Sequence, residues 1–169
     1  MSDLKKRWMS LYVENQVGVL AKVSGLFSAK SYNLQTLTVG ETEDETVSRM
    51  TISVDADDIT YEQIKKQLNR MVEVIKVIDM ESGAAVHMKE ILYAKINHLD
   101  DVKMNKVFQI AKVFDVNPVD MGCDSVILEC VLTESLNNDL IKLLKKEFKT
   151  IEIVRGGNVA IESINKSDR

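Results

Sequence analysis

Hydrophobic and polar residues alternate near the start of the chain, and this pattern predicts a half-buried β-strand. Met9, Leu11 and Val13 fall on one face, and the residues between them fall on the other. Apolar residues then recur at helical spacing from Val19 to Phe27, which predicts an amphipathic helix with one buried stripe. The chain is therefore expected to open with a strand followed by a helix on the same core.

The rest of the first half predicts two strands, a second helix and a fourth strand. These are expected at Asn33–Val39, at Val47–Val54, from about Thr60, and at Val72–Ile78. Gln63 stands at capping-box spacing from Thr60 and predicts the start of the second helix. The acidic turn Gly40–Glu45 is interpreted as a solvated hairpin tip rather than a docking site for a basic partner. The predicted order is βαββαβ.

The second half repeats this order after a short, flexible segment, Glu81–Ala85. Asp100 or Asp101 is the expected N-cap of its first helix. The expected elements are Ile91–Ile96, Met104–Phe114, Val116–Met121, Ser125–Leu132, Leu136–Phe148 and Ile151–Arg155.

Together these patterns predict an α+β protein built from two ferredoxin-like βαββαβ units. The expected domains are residues 1–81 and 86–169. A unit of this size buries only part of the surface that its unfolded chain exposes. We therefore expect the chain to pair with a second copy and form a homodimer.

Composition narrows the class of protein. The chain is 45% hydrophobic, which is enough for a core, and its net charge of −4 argues against a nucleic-acid-binding protein. No apolar run approaches the roughly 18 residues that a membrane span needs. No targeting segment is apparent, and Cys123 and Cys130 match neither a zinc pattern nor a disulfide framework. These features predict a cytoplasmic protein with reduced thiols.

The sequence offers no constellation for catalysis. His87 and His98 are far apart and belong to no metal-ligand spacing. No nucleophile elbow, phosphate-binding loop or dinucleotide fingerprint occurs. We therefore predict no catalytic residue, no metal site and no cofactor in this chain.

The turn from Glu14 to Leu20 is the strongest candidate for a binding site. Gly18 lets the backbone approach a ligand closely, and the amides of Gly18, Val19 and Leu20 open a helix whose N-terminus attracts a carboxylate. The flanking residues are apolar, which suits a small apolar amino acid. A purely structural reading stays open, in which Asn15 caps the helix and Gly18 eases the turn.

Asn33 strengthens the binding interpretation. Asparagine is a poor strand former, yet Asn33 opens the second strand, and its amide supplies both donors and an acceptor. The corresponding turn of the second half, Asn97–Asp101, lacks glycine and carries two carboxylates. An effector site is therefore expected in the first unit, and the second unit is expected to dock a partner or to serve structure.

Several motifs of the first half occur together in one known family. They are Glu14-Asn15, Gly18-Val19-Leu20, Gly25-Leu26-Phe27-Ser28, Tyr32-Asn33-Leu34, Leu37-Thr38-Val39-Gly40 and Ser48-Arg49-Met50-Thr51-Ile52. The weaker matches of the second half are Lys89-Glu90-Ile91-Leu92 and the Arg155–Gly157 segment. The chain resembles the regulatory small subunits of acetolactate synthase, which are ACT-domain proteins, from Arg7 to about Ile161.

The resemblance implies a non-catalytic subunit. It would activate a large catalytic subunit, which carries thiamine diphosphate, Mg²⁺ and often FAD, and would confer feedback inhibition by valine or by leucine or isoleucine. Contact with the large subunit is expected from the second domain. The implied effector contacts are Asn15, Val17, Gly18, Val19 and Leu20 of one protomer with Asn33 and Leu34 of its partner.

Two residues depart from the family pattern. Proline or serine is common at the position of Val17, and glycine is common at the position of Ser31. Ser31 follows the expected end of the first helix, where a left-handed residue is often required. An alternative function also stays open, a free-standing tandem ACT sensor that controls another enzyme or a transcription factor.

Overall fold

The computed structural model describes residues 4–80 and 86–164 of the chain. Within them lie eight strands and four helices. In chain order they are β1 (Lys5–Glu14), α1 (Val19–Ala29), β2 (Asn33–Glu41), β3 (Val47–Ala56), α2 (Asp58–Leu68), β4 (Val74–Asp79), β5 (Val86–Ile96), α3 (Asp101–Phe114), β6 (Asn117–Met121), β7 (Val126–Leu132), α4 (Glu134–Glu147) and β8 (Ile151–Glu162).

The elements form two four-stranded sheets with the same topology. The strand orders are β2-β3-β1-β4 and β6-β7-β5-β8, so each βαββαβ unit places its first and third strands side by side at the centre. The neighbouring strands β1 and β3, like β5 and β7, run antiparallel. The predicted fold class, two ferredoxin-like units in an α+β protein, is confirmed.

Every second residue of the central strands contributes an apolar side chain to the core of its unit. In the first unit Leu11 pairs with Met50 and Met9 with Ile52, so all four side chains are buried on the helix side. In the second unit the buried residues of β5 alternate with exposed ones in the same way. Each unit therefore has its own apolar core between one sheet and two helices.

Several element boundaries differ from those predicted. Helix α2 begins at Asp58 rather than near Thr60, because the Asp57 carboxylate accepts a 2.7 Å hydrogen bond from the Thr60 amide. The predicted capping box is therefore wrong. Strand β4 starts at Val74 instead of Val72, and β5 starts at Val86 instead of Ile91.

Strand β8 runs to Glu162, well past the predicted end at Arg155. The predicted strand stopped at Arg155, directly before the glycines at positions 156 and 157. Here Gly156 lies against β5, and a Cβ on it would stand 2.6 Å from Cγ2 of Ile91. The glycine allows close approach of a neighbouring strand, so the strand continues through it.

Chain contacts divide the protein into two units that differ from the predicted domains at one end. The second unit is Met88–Asn158, and the first unit contains the preceding residues together with the end of β8 from Val159. The expected linker Glu81–Ala85 lies outside the described residues. No helix in the described part is long and apolar enough to span a membrane.

A Schellman motif ends helix α1. The amide of Tyr32 donates to the Phe27 carbonyl at 3.0 Å, and the amide of Ser31 donates to the Ser28 carbonyl at 3.1 Å. The rings of Phe27 and Tyr32 pack edge to face with centroids 6.3 Å apart. Ser31 has φ 55°, the left-handed conformation expected from its position. This motif sets the direction in which Asn33 enters β2.

Replacing Ser31 with glycine should stabilise the protein. Glycine adopts positive φ without the Cβ clash that serine suffers, so Ser31→Gly is expected to raise the free energy of unfolding by about 0.5–1 kcal/mol. Ser28→Gly is the matched control, because Ser28 lies inside α1, where glycine is unfavourable. Denaturant unfolding should move the midpoints in opposite directions, and a lower midpoint for Ser31→Gly would contradict the interpretation.

Candidate effector site at the start of helix α1

The turn between β1 and α1 is held by backbone hydrogen bonds to the rest of the first unit. The Glu14 amide donates to the Glu73 carbonyl at 2.9 Å, and the Asn15 amide donates to the Thr46 carbonyl at 2.7 Å. These bonds hold the start of the turn against the segments that precede β3 and β4. The residues that follow Asn15 therefore extend beyond the sheet from a fixed position.

Gly18 is the N-cap residue of α1 and has φ 90° and ψ −11°. This left-handed conformation is readily available to glycine, whereas a Cβ makes it costly for most residues. A Cβ built on Gly18 would meet no atom within 4 Å, so the space beside it is open. The backbone conformation, rather than crowding, is what calls for glycine here.

Helix α1 starts without a side-chain cap, whereas the other three helices of the described chain are capped. Asp57, Asp100 and Thr133 each accept a hydrogen bond from an amide in the first turn of their helix. Gly18 has no side chain that could do so. The first amides of α1 therefore face the open space beside Gly18 with their share of the helix dipole.

Only one of the three predicted carboxylate-binding amides has a backbone partner within the described chain. The Val19 amide donates to the Gln16 carbonyl at a long 3.3 Å, and no such bond is found for Gly18 or Leu20. Two N–H groups thus remain for a ligand. This geometry fits the predicted carboxylate cradle, with a smaller role for Val19.

Asn15 does not cap the helix; its side chain instead points to the β2–β3 hairpin. Its amide nitrogen donates to Oε1 of Glu41 at 3.2 Å and to the carbonyl of Glu45 at 2.9 Å. These contacts use the two N–H donors and leave the amide oxygen as an acceptor. The hairpin thereby fixes the orientation of Asn15.

The apolar residues of the turn separate into core and surface. Val19 is 3% exposed and belongs to the core, so its side chain is not part of an exposed wall. Val17 and Leu20 project outward, with exposed fractions of 106% and 46%. Two apolar side chains thus flank the open amides at the surface of the chain.

One chain does not bring all the predicted site residues together. Asn33 is opposite Asp55 at one end of the first sheet, whereas Glu14 is opposite Val47 at the other end. The eight residue steps of β3 from Val47 to Asp55 span roughly 26 Å. Asn33 is exposed and Leu34 is half-buried against the core, both far from Gly18 of the same chain.

The second unit replaces the open helix start with a carboxylate of its own. Oδ1 of Asp100 accepts a 2.8 Å hydrogen bond from the Lys103 amide, and this bond lowers the pKa of the Asp100 carboxyl below its ordinary value. The position that an anionic ligand would take in the first unit is therefore occupied here by the protein itself.

The candidate metal ligands lie apart. His98 and Asp124 come within 3.8 Å of each other, and both are largely exposed. Among residues 4–80 and 86–164, no group of three or more histidine, cysteine or acidic side chains is arranged to hold a metal ion. Burial raises the pKa of the Cys130 thiol to about 11, whereas Cys123 is exposed.

A buried ion pair in the second unit was missed by the sequence analysis. Glu90 is 2% exposed and accepts two 2.7 Å hydrogen bonds from Arg155. The side-chain amide of the buried Asn137 donates to the same carboxylate at 3.0 Å. Glu90 and Arg155 belong to the two weak motifs of the second half, but only the fold shows that they meet.

A second missed residue is Arg49 of β3. Its guanidinium donates to the hydroxyls of Ser10 and Tyr12, at 2.7 and 2.8 Å, and to the Glu162 carboxylate at 2.9 Å. An arginine in an otherwise uncharged strand stretch was the available signal, although its distant partner was not predictable. Arg49 thus joins the end of β8 to the first sheet.

Comparison with protein families identifies both halves. The model described as AHAS small subunit-like ACT domain matches residues 9–76, and the model described as small subunit of acetolactate synthase matches residues 89–164. The first unit, with its open helix start, is therefore an ACT domain. The chain as a whole belongs to the family of acetolactate synthase small, or regulatory, subunits.

Individual relatives cover nearly the whole chain. The probable acetolactate synthase small subunit of Archaeoglobus fulgidus is 35% identical over 95% of this chain and 99% of its own length. The small subunit of Escherichia coli isozyme 3 is 33% identical over 95% of this chain and 98% of its own. The crystal structure of the Thermotoga maritima small subunit superposes with a TM-score of 0.84 at 32% identity, covering 95% and 99% of the two chains.

Removing Arg155 should destabilise the second unit in a pH-dependent way. In Arg155→Met the buried Glu90 carboxylate loses its cationic partner, at an expected cost of about 3 kcal/mol at pH 7. Burial then raises the folded-state pKa of Glu90 above its unfolded value, so the penalty should shrink as the pH falls toward that unfolded value. Urea unfolding at pH 7 and pH 5 measures both effects.

Glu90→Gln serves as the control for that experiment. It removes the carboxylate and keeps the shape, and the third-exposed Arg155 can be hydrated instead. Its loss of stability should be smaller and should depend little on pH in this range. An equal loss at both pH values in Arg155→Met would contradict the assigned role of the pair.

Proposed function

We propose that this chain is the regulatory subunit that activates the catalytic subunit of acetolactate synthase and makes it sensitive to a branched-chain amino acid, with valine as the first candidate. Membership of the small-subunit family supports the partner. The observation that carries the effector site is the uncapped start of α1, where Gly18 leaves two amides open. The thiamine diphosphate and Mg²⁺, and FAD where it is used, would reside in the catalytic subunit.

The turn offers complementary groups for each part of an amino acid. The ligand carboxylate would accept from the Gly18 and Leu20 amides, at the positive end of the helix dipole. The ammonium group would donate to the oxygen of Asn15, which the hairpin orients. The branched side chain would lie against the exposed Val17 and Leu20. The amide oxygen of Asn15 and the nearby hairpin carboxylates would attract the ammonium group. They therefore favour an amino acid over its 2-oxo analogue, which lacks that group.

A second copy of the chain would complete this site. Strand β2 is at the edge of the first sheet within the described residues. Antiparallel pairing of two β2 strands about a twofold axis places the start of one strand beside the end of the other. Asn33 and Leu34 of the partner would thus approach the turn of the first chain. Within one chain, Asn33 lies at the opposite end of the sheet from that turn.

Effector binding would act through differential affinity. A ligand changes the activity of the catalytic subunit only if it binds one conformation of the complex better than another. Such coupling typically amounts to about 1–3 kcal/mol. The open turn is a suitable sensor because ligand binding would supply the helix cap that the free protein lacks.

Reconstitution with the catalytic subunit tests the proposal. Addition of this chain should raise acetolactate formation, and valine should then lower it. Gly18→Asp should abolish inhibition by valine and leave activation largely intact, because its carboxylate would stand beside the amides and repel the ligand. Aspartate tolerates left-handed backbone, so the fold should survive.

Gly18→Asn is the matched control for charge. Asparagine has similar size and tolerates the same backbone conformation, so it isolates the effect of the added carboxylate. Inhibition should be weakened less than in Gly18→Asp. Loss of activation together with inhibition in both variants would show that the turn is structural and would overturn the assigned site.

Mixing two inactive variants tests whether the site is shared between protomers. Gly18→Asp and Asn33→Asp should each bind valine poorly alone. In a heterodimer of the two, one site carries both substitutions and the other carries neither, so random exchange should restore about a quarter of all sites. Calorimetric titration with valine measures that stoichiometry, and a mixture without recovered binding would contradict the shared site.

A further inference from the structure

An open groove in the second unit runs between α4 and the edge strand β8. Its cavity volume is about 620 Å³, and residues on one face of α4 and one face of β8 line it. The lining residues are Asn138, Ile141, Lys142 and Lys145 of α4 with Ile151, Ile153 and Arg155 of β8. The strand residues are two apart and the helix residues three or four apart, so each set forms one continuous wall.

The chemistry of the groove is an apolar floor with a cationic rim. Its three isoleucines are partly buried against the core of the second unit. No carboxylate is among the lining residues, although the whole chain carries a net charge of −4. Glu90 neutralises Arg155, whereas Lys142 makes only a long 3.4 Å contact with Asp139 and both lysines are exposed. The groove therefore favours an acidic occupant.

The position of β8 indicates the shape of that occupant. The strand is last in the order β6-β7-β5-β8, so in the described part of the chain β5 is its only neighbour in the sheet. Its outer edge presents unpaired backbone groups that can pair with an added strand. The alternate side chains of such a strand would fit the apolar floor. An extended segment suits the groove better than a compact molecule.

A second copy of this chain is a poor occupant. Twofold pairing of two β8 edges would bring the lysines of both grooves together, and the groove lining offers no carboxylate to compensate them. We propose that the groove binds an extended segment of the acetolactate synthase catalytic subunit in which apolar and acidic residues alternate. This inference rests on the proposed function, which supplies the partner, and adds the surface and the chemistry of the contact.

Charge reversal at the rim tests the proposal in the full complex. Affinity of the catalytic subunit for the intact chain is measured at low and at raised salt, with Lys142→Glu/Lys145→Glu as the test variant. Loss of two charge contacts should weaken binding at low salt by at least about tenfold, and the variant should lose most of the salt dependence. Thermal unfolding of the variant verifies that its fold is intact.

Lys112→Glu/Lys146→Glu is the matched control, since it makes the same change in net charge on exposed helix positions of the same unit outside the groove. It should bind like the unchanged chain. Equal affinity of the test variant and the unchanged chain, or an equal loss in the control, would overturn the proposal. A change in self-association of the test variant alone would identify a second copy as the occupant and overturn it too.

Hydrogen exchange gives an independent readout of strand addition. Binding of the catalytic subunit should slow exchange of β8 amides within Ile151–Arg155, because an added strand would pair with them. Unchanged exchange in a formed complex would contradict strand addition. If the unchanged chain neither binds nor activates the catalytic subunit, the proposed function itself fails, which is a distinct result from failure of the groove variants alone.

Discussion

The left-handed conformation of Gly18 is the constraint on which the open start of α1, and with it the proposed effector site, depends. A residue with a side chain at a helix N-cap usually satisfies the first amides itself, as Asp57, Asp100 and Thr133 do in this protein. Gly18 has no side chain to accept hydrogen bonds from these amides. The backbone bonds at the start of the turn hold the amides in place. The proposed binding surface therefore consists mainly of backbone groups, which do not depend on the identity of the neighbouring side chains.

The two units repeat one fold but differ at the start of their first helix. Both have the same strand order and the same position for the turn after the first strand. In the second unit, the Asp100 carboxylate caps the start of α3. The second unit also contains the buried ion pair of Glu90 and Arg155. One side chain at the helix start thus distinguishes the open amides of α1 from the capped amides of α3.

The fold class could be predicted from sequence because every second residue of the central strands is apolar over the part that forms the core, and each helix keeps one apolar stripe. The contacts that orient the site could not, because they join residues distant in the chain. Asn15 meets Glu41 and Glu45 only when the hairpin folds back, and Arg49 meets Glu162 across more than a hundred residues. A local signal also misled at the start of α2, where Asp57 caps the helix in place of the predicted Thr60. The shared effector site and the contact with the catalytic subunit stay predictions.

The bond between Arg49 and Glu162 also bears on how the chain is divided. Because the end of β8 belongs with the first unit, the second unit is an insertion bounded on both sides by segments of the first. Deleting everything after Asn158 would therefore not yield an intact first unit, since it would remove the carboxylate that Arg49 holds. To separate the two units, residues 88–158 would have to be excised and the end of β8 rejoined to the ACT domain through a designed connection.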